Sequence, residues 1–173
     1  MDFELTSEVI KNDLDYYAQK NVEDGPCLTW SMFSIGYQSI GDTDKAYAYF
    51  LKGYQGYVQQ PWNVWSEIKG GSGARNFLTG GGGFLQSILY GYGGIRVRRD
   101  GLEMTPKMIT LSQGWTMRSL NYKGKTFDVE VGIGKIMFRC IKGDIVVCQE
   151  TCEALVSGES IEVKGTFSIH VDN

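Results

Sequence analysis

The apolar period of the chain changes once, at Gly93-Gly94, and that change limits it to an α+β fold with helices and strands segregated along the sequence. Ahead of the glycine pair, apolar residues recur at helical spacing. Val9, Ile10, Leu14 and Tyr17 predict a helix over residues 6–20, with Thr6 or Ser7 as its cap. Trp30, Phe33, Tyr37 and Ile40 predict a second over residues 29–40, stopped by Gly41. Tyr47, Phe50, Leu51, Tyr54 and Val58 share a face of a third, running to about residue 59 and ended by Pro61. The short link between the second and third predicts antiparallel packing. A last helix is expected over residues 84–92, with Phe84, Leu85, Ile88, Leu89 and Tyr92 inward.

Beyond the pair the period is two. Residues 95–99 lead into Asp100-Gly101, a hairpin turn signal, and then Leu102-Glu103-Met104. Residues 115–122 alternate with a phase slip between Met117 and Leu120, which reads as a bulge. Phe127, Val129, Val131 and Ile133 alternate cleanly, and short strands follow at 136–140, 145–148, 161–163 and 167–171. The expectation is two domains, residues 1–94 helical and 95–173 a small antiparallel β-sandwich.

Chemistry concentrates in residues 62–83, W-N-V-W-S-E-I-K-G-G-S-G-A-R-N-F-L-T-G-G-G-G, read as one long loop. So many glycines need a geometric reason: close backbone approach to a ligand or to a packed helix. A P-loop is excluded, because no Gly-Lys-Ser/Thr follows the glycines. A dinucleotide loop is excluded, because Gly71-Ser72-Gly73 is followed by Ala74, Arg75 and Asn76. A carboxylate, Glu67, beside Trp62 and Trp65 suits a sugar site, where aromatic faces stack on pyranose rings. Composition alone favours a packed tryptophan pair with Glu67 at a helix start. Amides at the start of the last helix, over Gly80–Gly83, are expected to reach a ligand's oxygens.

A net charge of −3 gives no electrostatic footprint for nucleic acid. Arg96, Arg98 and Arg99 read as a solvated strand face. No apolar stretch approaches membrane-spanning length, and the acidic opening Met1-Asp2-Phe3-Glu4 lacks a signal peptide's pattern, so a cytoplasmic address is expected. No cofactor or metal is expected. Cys148-x-x-x-Cys152 lacks zinc partners, and His170, the only histidine, is expected to face solvent from a strand. Cys27, Cys140, Cys148 and Cys152 are expected as buried free thiols.

T-W-S-M-F (Thr29–Phe33), V-W-S-E (Val64–Glu67) and G-S-G-A-x-N-F-L-T-G-x-G-G-F-L-Q (Gly71–Gln86) together resemble glycoside hydrolase family 65, in its acid-trehalase-like branch. The resemblance is dense from about residue 25 to 97. It implies the last helices of an (α/α)6 barrel followed by a C-terminal β domain. It implies an inverting hydrolase of α-linked glucosides, such as glucosyl-galactosyl-hydroxylysine, with Glu67 as general base. It places Trp30 at the start of a helix facing the sugar pocket, with Trp62 and Trp65 as walls and Arg75 and Asn76 near hydroxyls. The phosphorylases of the family carry Gly-x-His-Leu-Gly where this chain has Asn76-Phe77-Leu78, so hydrolysis is expected rather than phosphorolysis. The family's general acid lies in a part of the barrel upstream of these motifs. The chain is therefore read as a C-terminal piece, inactive alone, whose partners are its substrate and the remainder of the barrel. The alternative is a non-catalytic carbohydrate-binding or structural module, or a non-functional remnant.

Overall fold

The computed structural model describes residues 5–171. The chain forms two compact units, one ending at Gly91 and the next beginning at Tyr92.

In the first unit, α1 spans Ser7–Lys20, and the Thr6 hydroxyl caps it by accepting from the Val9 amide at 3.3 Å. α2 spans Leu28–Ser39 and α3 spans Thr43–Lys52, with Asp42 capping α3 through the Lys45 amide. The predicted stripe on α2 is the core of the unit: Trp30, Phe33 and Tyr37 are buried with Cys27, Ala46 and Tyr57, and Tyr49 stacks on Trp30 and Tyr37.

The third helix ends seven residues earlier than its apolar pattern predicts. Gly53 caps it, and Gly56, at φ +83°, stands in a conformation that cannot continue a right-handed helix. Val58 then enters a two-residue strand, β1 (Val58–Gln59), paired antiparallel with β2 (Val64–Trp65). The expected long loop is therefore partly a hairpin.

The glycines also belong to a helix. α4 spans Leu78–Gln86 and passes into a π-helical segment, Ser87–Tyr92. Gly80, Gly83 and Ser87 are buried, whereas Leu85, expected inward, is exposed. The cause is close approach to a packed helix. A Cβ at Gly80 would lie 2.3 Å from Cys27 Sγ, and one at Gly83 would lie 3.2 Å from the Leu28 Cα. The Gly80 and Gly81 amides both donate to the Phe77 carbonyl, so they are not the bare helix start expected for ligand binding.

The second unit has two antiparallel sheets. One, in order β10-β7-β6-β5, comprises β5 (Gly114–Tyr122), β6 (Lys125–Gly132), β7 (Lys135–Lys142) and β10 (Ser160–Val163). The other, in order β3-β4-β11-β8-β9, comprises β3 (Arg96–Val97), β4 (Leu102–Met104), β8 (Ile145–Cys148), β9 (Cys152–Leu155) and β11 (Phe167–His170). Alternate residues of both sheets are buried: Phe127, Val129, Val131 and Phe138 from one, Met104, Val147, Phe167 and Ile169 from the other. Phe138 meets Phe167 edge to face at 6.1 Å, joining the inner faces. The register of β5 on β6 shifts between Met117 and Leu120, where the phase slip lies.

Strand β9 escapes a reading by pattern because Leu155 is its one buried residue. It is held by a disulfide between Cys148 and Cys152, directly opposed across β8 and β9. This corrects the expectation of four free thiols; Cys27 and Cys140 are the buried free ones. His170 is half-buried rather than solvent-facing, with Nδ1 2.9 Å from the Asp100 carbonyl and Nε2 2.9 Å from the Ser168 hydroxyl.

Candidate functional site

The β1–β2 hairpin lifts Trp62 at its turn, where the ring is 83% exposed. Trp65 follows on β2, half-buried, its ring against Phe84 at 5.7 Å. A Cβ at Gly81 would stand 3.4 Å from the Trp65 Nε1, so the glycine face of α4 also makes room for this indole. A cleft of about 380 Å³ opens here, lined among others by Gln59, Gln60, Trp62, Trp65, Ser66 and Arg75. Its volume lies in the range of small-molecule sites. Three of the six candidate residues, Trp62, Trp65 and Arg75, are thus brought together.

Glu67 does not line that cleft. It is half-buried at the base of a narrow loop closed by Ser66 bridging to Arg75. Its amide donates to the Ala74 carbonyl at 2.9 Å, and its Oε2 accepts from the Ala74 amide at 3.0 Å. Its carbonyl accepts from the Cys27 amide at 3.3 Å, tying the loop to the start of α2. Burial pushes the Cys27 thiol up, and the Glu67 charge adds to the effect.

Trp30 is core. It is 1% exposed, its Nε1 donates to the Tyr57 hydroxyl at 3.0 Å, and Lys52 Nζ lies 3.7 Å over its ring. No face of it is free for a sugar ring in this structure. Asn76 is exposed at φ +55°, a conformation asparagine tolerates, and turns the chain into α4. It stands outside the cleft lining.

The sequence reading missed Gln59, Gln60 and Ser66, because the hairpin that aligns them has only two paired residues per strand. It also missed Ala74, whose contribution is a backbone amide and so leaves no side-chain signal. Among the described residues no three His, Cys, Asp or Glu side chains converge as metal ligands.

No family model matches the chain. Individual proteins do. The chain is 38% identical over 126 residues to the protein-glucosylgalactosylhydroxylysine glucosidase of Danio rerio, a match covering 73% of this chain and 19% of that protein. It is 39% identical over 104 residues to the acid trehalase of Emericella nidulans, covering 55% of this chain and 10% of that one. A solved structure described as a kojibiose phosphorylase from human microbiome superposes with a TM-score of 0.67 at 16% identity, over 93% of this chain and 23% of its own. That likeness carries the fold, mixed helix and antiparallel sheet, and nothing more. The chain spans about a fifth of the length of the first curated relatives it matches. In sequence it is a relative of glycoside hydrolase family 65, on the side of its glucosylgalactosylhydroxylysine glucosidases and acid trehalases.

Proposed function

We propose that this chain supplies one of the two catalytic carboxylates of an inverting hydrolase of α-linked glucosides. Glu67 is the general base. Ionised, it takes a proton from a water as that water attacks the anomeric carbon. A second carboxyl, from protein outside these 173 residues, protonates the leaving oxygen across a gap of roughly 6.5–9.5 Å. In this reading α1–α4 are the closing helices of an (α/α)6 barrel, and Trp62, Trp65 and Arg75 receive sugar beside the reacting bond. The Asn76-Phe77-Leu78 sequence, without histidine, favours water over phosphate as acceptor. Glucosyl-galactosyl-hydroxylysine is the favoured substrate, with trehalose and kojibiose behind it.

The observation that carries the reading is the hold on Glu67: one carboxylate oxygen is fixed by the Ala74 amide, within the V-W-S-E stretch on which the resemblance to family 65 rests. The test is glucose release from glucosyl-galactosyl-hydroxylysine. It compares the chain alone with a chimera in which its matched stretch replaces that of the Danio rerio enzyme. The expected result is activity in the chimera only, abolished by Glu67→Gln. Turnover by the chain alone, or a chimera indifferent to Glu67→Gln, overturns the proposal.

A second reading has its own observation. The tryptophan cleft is present in the chain and does not include Glu67. A non-catalytic sugar-binding module would use that cleft unchanged. Binding of a methyl α-glucoside to the chain, equal in Glu67→Gln, together with an inactive chimera, would select it.

A further inference from the structure

The outer face of the four-stranded sheet carries a depression of about 380 Å³, lined by Thr116, Arg118, Asp128, Glu130, Met137 and Arg139, with Ser160 at its rim. The strand alternation that buries Phe127, Val129 and Phe138 sends Asp128, Glu130, Met137 and Arg139 to this face. Register sets Asp128 directly opposite Arg139, and Thr116 and Met137 on either side of Glu130. The face therefore holds two guanidinium and two carboxylate groups, without net charge.

Cross-strand neighbours of opposite charge ordinarily close into pairs. Here, among the described residues, no salt bridge joins Arg118 or Arg139 to Asp128 or Glu130. Among the described residues the ion pair on this sheet is Lys135 with Glu162, at 3.8 Å. Two of the four groups are instead anchored from the side. Asp128 Oδ1 accepts from the Ser119 amide at 2.7 Å, and Arg139 Nε donates to the Ser160 hydroxyl at 3.3 Å. Asp128 is thereby drawn to the β5 bulge, where Ser119 stands at φ +56°, and Arg139 toward β10. Asp128, Arg139, Arg118 and Glu130 all line the depression.

We propose that this face is a binding surface for a neutral, hydroxyl-rich ligand, chemically a sugar ring, distinct from the tryptophan cleft of the first unit. The balance of charge selects the class. A basic patch would take phosphate and an acidic one a cation, but alternating acceptors and donors fit hydroxyls, each of which both donates and accepts. Met137 gives the apolar contact that a ring's carbon face needs. Lateral anchoring holds Asp128 and Arg139 apart before the ligand arrives, which lowers the ordering cost of binding.

The test is amide-resolved NMR titration of the 173-residue chain with methyl β-galactoside and methyl α-glucoside, with inorganic phosphate and free lysine as charged controls. Saturable shifts confined to residues 116–119, 128–130 and 137–139 are expected with at least one neutral sugar. Arg118→Ala and, separately, Glu130→Gln should each weaken that binding at least fivefold while the remaining spectrum stays unchanged. Neither side chain is buried, so both variants keep the sheet. Shifts driven by phosphate or lysine alone, no saturable shift with either sugar, or sugar binding indifferent to both variants would overturn the proposal.

Discussion

Glu67 and Ala74 bond each other twice, amide to carbonyl at 2.9 Å and carboxylate to amide at 3.0 Å, so backbone and side chain of the glutamate are fixed by one residue. Gly73 stands inside that clamp at φ +75°, where a Cβ would lie 3.0 Å from Glu67 Oε2 and 3.0 Å from its Cβ. Gly70 has nearly the same φ, +80°, with nothing within 4 Å of its notional Cβ. Gly73→Ala and Gly70→Ala should each lose about 1–2 kcal/mol to left-handed strain. Gly73→Ala alone should also displace the carboxylate. In the chimeric glucosidase this would read as a fall in kcat with KM little changed, against near-normal kcat for Gly70→Ala.

The two extremes of exposure among the tryptophans should separate cleanly. Trp30→Ala removes a fully buried side chain and should destabilise the helical unit by about 3–5 kcal/mol in urea unfolding. Trp62→Ala should leave the unfolding midpoint unchanged and weaken α-glucoside binding in a titration. A large stability loss at Trp62 would show that the ring packs rather than binds.

Substitutions along the glycine run should differ in sign. Gly80→Ala drives a methyl into Cys27 Sγ and should cost about 2–3 kcal/mol. Gly82→Ala meets nothing within 4 Å in a helix interior and should stabilise by about 0.5–1 kcal/mol. Thermal unfolding of both variants checks the pair.

Acid should loosen α1. Lys11, Lys45 and the Tyr37 hydroxyl all donate to Asp15 and hold its carboxyl well below the usual range. A group depressed in the folded state contributes stability that is complete above its unfolded pKa, about 3.9, and lost as pH falls through the folded value. Asp15→Asn should therefore be less stable than the parent at pH 7, with the gap closing progressively below about pH 4. Urea midpoints across pH 2–7 measure it; a gap constant with pH would refute the assignment.

The disulfide closes a very short loop, for which chain entropy gives a stabilisation of about 2 kcal/mol. Reductant, or Cys148→Ser with Cys152→Ser, should lower the stability of the second unit by about that amount. Trp115 is the only tryptophan there and reports it by fluorescence. The first unit, with Cys27 its only thiol, should be unaffected.

Much of this architecture was legible in the residues. The change of period at Gly93-Gly94 falls within three residues of the division at Gly91. Phe33 and Tyr37 announced their core face because helical spacing is a property of the chain alone. What stayed hidden depended on partners distant in sequence. The glycine run looked like a loop because nothing local says that Cys27 and Leu28 occupy the space its side chains would need. Strand β9 carries one buried residue, too little for a period. Of the candidate residues, Trp62, Trp65 and Arg75 stand close together in sequence and line one cleft. The seclusion of Trp30 and the separation of Glu67 from the cleft lining were not legible in the sequence, because both follow from how the hairpin and α2 fold together.

The bare face of α4 and of the π-helical segment after it binds the fates of positions far apart in the chain. Gly80 is seated on Cys27, Gly83 on Leu28 and Ser31, and Gly91 faces Ile35. Helix α4 can thus neither slide along α2 nor acquire bulk on that face by itself. A larger residue at position 80 becomes admissible only when position 27 shrinks. Homologous chains should therefore trade volume between these two helices in compensating pairs rather than one site at a time.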